Sequence, residues 1–166
     1  MYNGQYLYTK YNNIYFIKFI GNIIYPISND LNKFLDCIFM HKDFENIVVD
    51  LTQTEQIDST NIGLLAKIAK FMFDNFNKKT TLISTNENIT QLLVNMGLNK
   101  IFIIIDKPFD LDANLKTIPH IKKTDKQMAR TMIEAHSNLI KLNQKNRKLF
   151  ENVVECLKRE VGTKEP

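Results

Sequence analysis

Ile47-Val48-Val49-Asp50-Leu51, followed by Ile57-Asp58-Ser59-Thr60-Asn61-Ile62-Gly63-Leu64-Leu65, is the stretch whose reading decides the fold. The first five residues form a short apolar run rich in β-branched side chains, which predicts a strand buried on both faces of a sheet. The second block opens a helix. Leu65, Ile68, Ala69, Met72, Phe73 and Phe76 recur on one face, and Lys67, Lys70 and Asp74 lie outside it. Ser59 reads as the N-cap of that helix, its hydroxyl facing the unpaired amides of Thr60 to Ile62.

Upstream, Tyr6 and Tyr8, then Ile14 to Phe19, alternate around Asn12-Asn13, which predicts a β-hairpin with a tight turn and a second strand closed by Gly21. After Pro26, Ser28 can cap a helix with Asp30 in its first turn, and Leu31, Phe34, Leu35, Ile38 and Phe39 follow at helical spacing. Downstream, Thr80–Ser84 reads as a strand and 87–96 as a helix stopped by Gly97. Ile101–Ile105 then reads as another buried strand. The order β-β-α-β-α-β-α-β is that of an α/β sandwich with a mostly parallel sheet and an N-terminal β-hairpin. Residues 1–106 are expected to form this domain, 107–123 a linker and 124–162 a long C-terminal helical extension.

The extension begins at Thr124-Asp125-Lys126-Gln127, which fits a capping box. Met128, Met132, Ala135, Leu139, Leu142, Asn146, Leu149, Val153 and Cys156 then recur at alternating steps of four and three. A continuous helix of roughly thirty-six residues spans about 54 Å. The body in front of it should be only about 35 Å across. The helix must therefore project, pair with a second copy as a coiled coil, or break near Asn143–Asn146 into a helical hairpin. Asn146 at a heptad a position favours pairing, hence a possible homodimer. Ile133, Ile140, Phe150 and Val154 widen the stripe, as packing on the chain's own domain would require.

Composition narrows the function classes. The 166 residues are 44% hydrophobic and 24% charged, with a net charge of +4, a globular balance. Residues 1–119 carry 11 Lys/Arg and 12 Asp/Glu, while 120–166 carry 11 and 6, so the basicity belongs to the tail. Acids are interleaved there, which describes a solvated helix face and not a nucleic-acid arm, so no direct nucleic acid is expected. No run is long enough for a membrane span, and the N-terminus does not read as a secretory signal. Cys37 and Cys156 lie far apart, as in a protein of the reducing cytoplasm, and Cys37 reads as core. His41, His120 and His136 are not at metal-ligand spacing and read as solvated or packing residues. No phosphate-cradling glycine motif is present. No enzyme, metal or cofactor is expected.

The strand, the loop and Asp58-Ser59-Thr60-Asn61-Ile62-Gly63 resemble the signature of STAS domains, the anti-sigma factor antagonists of bacteria, in which D-S-[ST]-G-[LI]-G opens a helix. The resemblance covers about residues 5–106, and the tail with Glu134-Ala135-His136 looks like that of an extended gammaproteobacterial subgroup. It implies partner switching. The unphosphorylated form would bind an anti-sigma factor and release a sigma factor. A serine kinase would phosphorylate Ser59, and a PP2C-type phosphatase would reverse the mark. Asp58, Ser59, Thr60, Asn61, Ile62 and Gly63 would form the docking surface. Asn61 stands where the family has glycine, which would alter the surface a partner meets.

Two other readings compete. Asp50 at a strand end and Lys107-Pro108 mimic an aspartate-phosphorylated receiver, but Phe19-Ile20-Gly21-Asn22 lacks the acidic pair that would hold Mg²⁺. A STAS regulatory subunit of a membrane transporter is the other, and the long tail argues against it.

Overall fold

The computed structural model describes residues 3–108, 110 and 114–163. Strands β1 (Gln5–Tyr11) and β2 (Ile14–Ile23) form the hairpin. Asn12 and Asn13 both adopt positive φ, 51° and 63°, the conformation that a two-residue turn of matching twist requires and that asparagine tolerates. Helix α1 (Tyr25–His41), strand β3 (Asn46–Ile57) and helix α2 (Ser59–Phe76) follow. Strand β4 (Thr80–Ile83), helix α3 (Glu87–Asn95), a single 3₁₀ turn (Leu98–Lys100) and strand β5 (Phe102–Ile105) complete the predicted series.

The sheet order is β5-β4-β3-β2-β1-β6. β2, β3, β4 and β5 run parallel, and β1 is antiparallel to β2. The sixth strand, β6 (Lys116–Thr117), pairs antiparallel with β1 through Leu7 and Tyr8. It lies inside the segment expected to be a linker. That segment is stitched to the body: buried Ile118 donates its amide to the Tyr6 carbonyl at 2.9 Å, and Asp30 accepts from the Ile121 amide at 3.0 Å and contacts His120 Nδ1 at 2.7 Å.

The expectation of strands buried on both faces is corrected. Burial in β3 alternates, with Ile47, Val49 and Leu51 fully buried and Asn46, Val48 and Asp50 only partly so. Leu31, Leu35, Leu64 and Ile68 pack with the buried set in one core. β2 and β3 also run further than expected, because Gly21, at φ 80°, sits beside a register shift and does not end the strand.

Helix α1 starts at Tyr25, not after Ser28. Ser28 is buried and its hydroxyl donates to the Tyr25 carbonyl, and Asp30 is buried within the helix. Cys37 is exposed, not core, and Phe73 is 62% exposed, off the buried face of α2.

The tail is not one helix. α4 (Asp125–Ile140) begins with the predicted capping box, Thr124 bonding Gln127 in both directions. The chain then turns, and α5 (Gln144–Thr163) begins at Asn143, whose side chain accepts from the Asn146 amide at 2.8 Å. Of the expected fates of the stripe, the fold-back is what the chain adopts. Asn146, read as favouring pairing, is fully buried, and its Nδ2 donates to the carbonyls of Met96 and Leu139, both at 2.9 Å. Beyond it the stripe changes face: Leu149 and Val153 are exposed, and Val154 is buried in their place.

Candidate functional site

The site is built where the parallel neighbours β2 and β3 end and α1 and α2 begin. Asp58 is the residue between β3 and α2, and its extended backbone, φ −95° and ψ 172°, is that of an N-cap. Its Oδ1 accepts from the Asn61 amide and from Asn61 Nδ2, both at 3.0 Å. Its Oδ2 accepts from the Tyr25 amide, the first of α1, at 2.6 Å. One carboxylate therefore caps two helices. This corrects the assignment of Ser59 as the cap and explains why α1 needs no Ser28: its first amide is satisfied from another loop.

Asn61, expected to alter the surface, is fully buried. Its Oδ1 accepts from the Tyr6 hydroxyl at 2.5 Å, so a continuous chain runs from Tyr6 through Asn61 and Asp58 to Tyr25. Burial, with the Asp58 charge and then that of Asp30 adding to it, raises the Tyr6 pKa well above the ordinary tyrosine value and keeps the phenol a donor. A glycine at position 61 could make neither side-chain bond.

Ser59 is the first residue of α2, partly exposed, and its Oγ lies 2.9 Å from His136 Nε2 on α4. His136 Nδ1 lies 2.7 Å from the Met132 carbonyl, which can only accept. Nδ1 therefore carries the proton in the neutral ring, and the Ser59 hydroxyl donates to Nε2. Burial lowers the His136 pKa, opposed by the Met132 bond and the Asp58 charge. The Phe150 ring of α5 backs the imidazole, with centroids 5.0 Å apart. The group behind this histidine is a backbone carbonyl, where the serine–histidine relay of a hydrolase has a carboxylate.

The six predicted docking residues are contiguous in space, but only Asp58 and Ser59 reach solvent. Thr60, Asn61, Ile62 and Gly63 are buried. The cover is α4. A Cβ on Gly63 would lie 2.8 Å from the Ala135 Cα and nearer still to its carbonyl, so only glycine admits the α4 backbone here. Beyond Gly63, Lys67 Nζ contacts Glu134 Oε1 at 2.7 Å, Asp36 Oδ1 at 2.6 Å and Asn32 Oδ1 at 2.7 Å. Thr131 Oγ1 donates to Asn29 Oδ1 at 2.7 Å, and Asn32 Nδ2 donates to Glu134 Oε2 at 3.1 Å. Ser59, Gly63 and Lys67 recur every four residues, one stripe of α2 facing α4.

His136, Glu134 and Ala135 were not foreseen as part of this site. Nothing in the linear sequence ties them to Ser59; the signal available was the widened apolar stripe, which required the tail to cover the body.

Among the described residues no cluster of three or more His, Cys, Asp or Glu could hold a metal ion, and no helix is long and apolar enough to cross a membrane.

Residues 5–117 match the family model of the STAS domain, about two-thirds of the chain, and the protein belongs to that family. The match runs through β6, so the domain extends past the boundary expected at 106. Two solved structures share the fold. One, described as a candidate anti-sigma factor antagonist from Thermotoga maritima, is 22% identical with a TM-score of 0.55, over 61% of this chain and 86% of its own. The other is the anti-sigma factor antagonist SpoIIAA in its unphosphorylated form, 12% identical with a TM-score of 0.52, over 63% of this chain and 89% of its own. No protein of curated function matches the sequence.

Proposed function

We propose that the protein is a non-enzymatic partner-switching regulator acting in the cytoplasm. Its unphosphorylated form binds an anti-sigma factor and frees a sigma factor. A serine kinase switches this binding off by phosphorylating Ser59, and a PP2C-type phosphatase restores it.

The observation that carries the reading is the division of labour at the start of α2. Asp58 caps the helix, so the Ser59 hydroxyl is not needed to hold it. Ser59 stands at a helix amino end, where the dipole and unpaired amides favour a phosphate. Thr60 beside it is 2% exposed, which leaves Ser59 as the hydroxyl a kinase can reach. A phosphoserine adds about −1.5 to −2 charges, enough to reverse the local character of a docking face. Family membership supports the reading, as do structural neighbours described as anti-sigma factor antagonists, one of them in an unphosphorylated form.

The test is co-purification from the native cell with wild type and Ser59→Asp, with mass-spectrometric mapping of the modification. An anti-sigma factor recovered with wild type alone, and phosphate on Ser59, is the expected result. Phosphate confined to another residue, together with unchanged partners for Ser59→Asp, refutes it. A transporter ATPase recovered with both forms favours a transporter subunit instead.

A further inference from the structure

The stripe of α2 that starts at Ser59 is already occupied. α4 sets Ala135 against Gly63, Glu134 against Lys67 and His136 against Ser59, and all three are backbone-close or direct polar contacts. Residues 134, 135 and 136 of one helix turn place an acid and a hydrogen-bonding ring on either side of a small residue, about 100° apart each way. On the opposing surface Lys67 and Ser59 flank Gly63 in the same manner. The recess over Gly63 is thus shaped for a helix bearing a small residue at the point of closest approach.

We propose that the α1–α2 face around Ser59 is a helix-docking surface on which the chain's own α4 competes with the partner. The partner segment is a helix carrying a small residue flanked by an acid and a hydrogen-bond acceptor, and it binds when the α4–α5 hairpin lifts. Phosphorylation of Ser59 acts on the same contact. The hydroxyl proton now donated to His136 Nε2 is lost when the phosphate ester forms, and the phosphoryl group needs the space that the imidazole fills at 2.9 Å. The docked tail and a phosphorylated Ser59 therefore exclude one another while His136 is neutral, and the same ester denies the partner's acceptor its hydroxyl donor and sets negative charge against its acid, so phosphorylation bars tail and partner alike. This rests on the partner-switching reading for the identity of the partner and for the phosphate, but not for the docking surface itself.

The test uses the full-length chain and hydrogen exchange followed by mass spectrometry. Glu134→Lys puts a second cation against Lys67, and Ala135→Leu wedges the Gly63 contact. In both variants exchange should speed by about tenfold or more in segments 59–66 and 125–140 together, with β3 and β4 unchanged. A labelled peptide of residues 124–142 should then bind both variants saturably and wild type at least about tenfold more weakly, because the tethered tail blocks it. Unchanged exchange in both variants overturns the proposal, as does equal peptide binding to all three proteins or to none. Should both variants fail to fold, wild type in low guanidinium decides: α4, α5 and the start of α2 open before β3 if the proposal holds, and one concerted loss of protection overturns it. None of these results depends on the anti-sigma factor, so failure here leaves the co-purification with Ser59→Asp to judge the function separately.

Discussion

Gly63→Ala tests the packing of the tail with opposite effects in two parts of the molecule. Within α2, exchanging glycine for alanine favours the helix by about 0.8–1 kcal/mol. Against α4, the new Cβ meets the Ala135 Cα at 2.8 Å and the Ala135 carbonyl closer still, where ordinary contact begins near 3.4 Å. These are backbone atoms and cannot rotate away, so α4 must shift by more than half an ångström, and overpacking of this kind costs about 1–3 kcal/mol. The loss falls on tail docking and the gain on the domain. Exchange across α4 and α5 should therefore speed by about 5- to 150-fold, while protection of β3, which reports global unfolding, stays level or rises. Native-state hydrogen exchange resolves both in one experiment. Slower exchange everywhere would show that the Cβ is accommodated and that the Gly63–Ala135 approach does not hold the tail.

Asp58→Ala removes the cap of α2 and strands the Tyr25 amide and Asn61 Nδ2, and should cost about 2–4 kcal/mol in guanidinium unfolding. Ser59→Ala removes only the bond to His136 and should cost about 0.5–1.5 kcal/mol, well below Asp58→Ala; equal losses would refute the assignment of the cap. Burial lowers the folded pKa of His136 below its unfolded value of 6.5, so its contribution is complete above that pH and is lost as pH falls through the interval down to the folded pKa. Tail exchange should accelerate across that interval in wild type and not in His136→Gln. Asn146→Ala strands the carbonyls of Met96 and Leu139 and should loosen the α4–α5 corner by about 2 kcal/mol, read as faster exchange near residues 139–150.

What the sequence reveals follows how local the cause is. The hairpin is legible because Asn12-Asn13 is a chemical requirement of the turn itself, and the capping box at Thr124 is legible for the same reason. The cap of α2 is misread because Asp58 and Ser59 are both good caps. The choice between them is made by Tyr25 and Asn61, which reach Asp58 from α1 and from the next turn. β6 is two residues long and exists only because β1 offers an open edge. The tail break is hidden by a stripe that continues through it, although Asn143 and Asn146 were already in view. Lys67 lies outside the apolar face of α2, yet it is a half-buried tie and not a solvated charge, because a third helix partly covers it.

The stitching of residues 116–123 has a consequence for the tail's range of motion. β6, Ile118, Ile121 and the bond from Lys123 to the Pro26 carbonyl pin the chain up to the residue before Thr124. If α4 lifts as proposed, the hinge it turns on is thus about one residue long. A helix released on so short a tether meets its own seat at a local concentration of order millimolar, whatever the amount of protein in the cell. Any soluble competitor starts from that handicap, and a covalent change at the seat, which no dilution weakens, is a more effective way of keeping the helix off it.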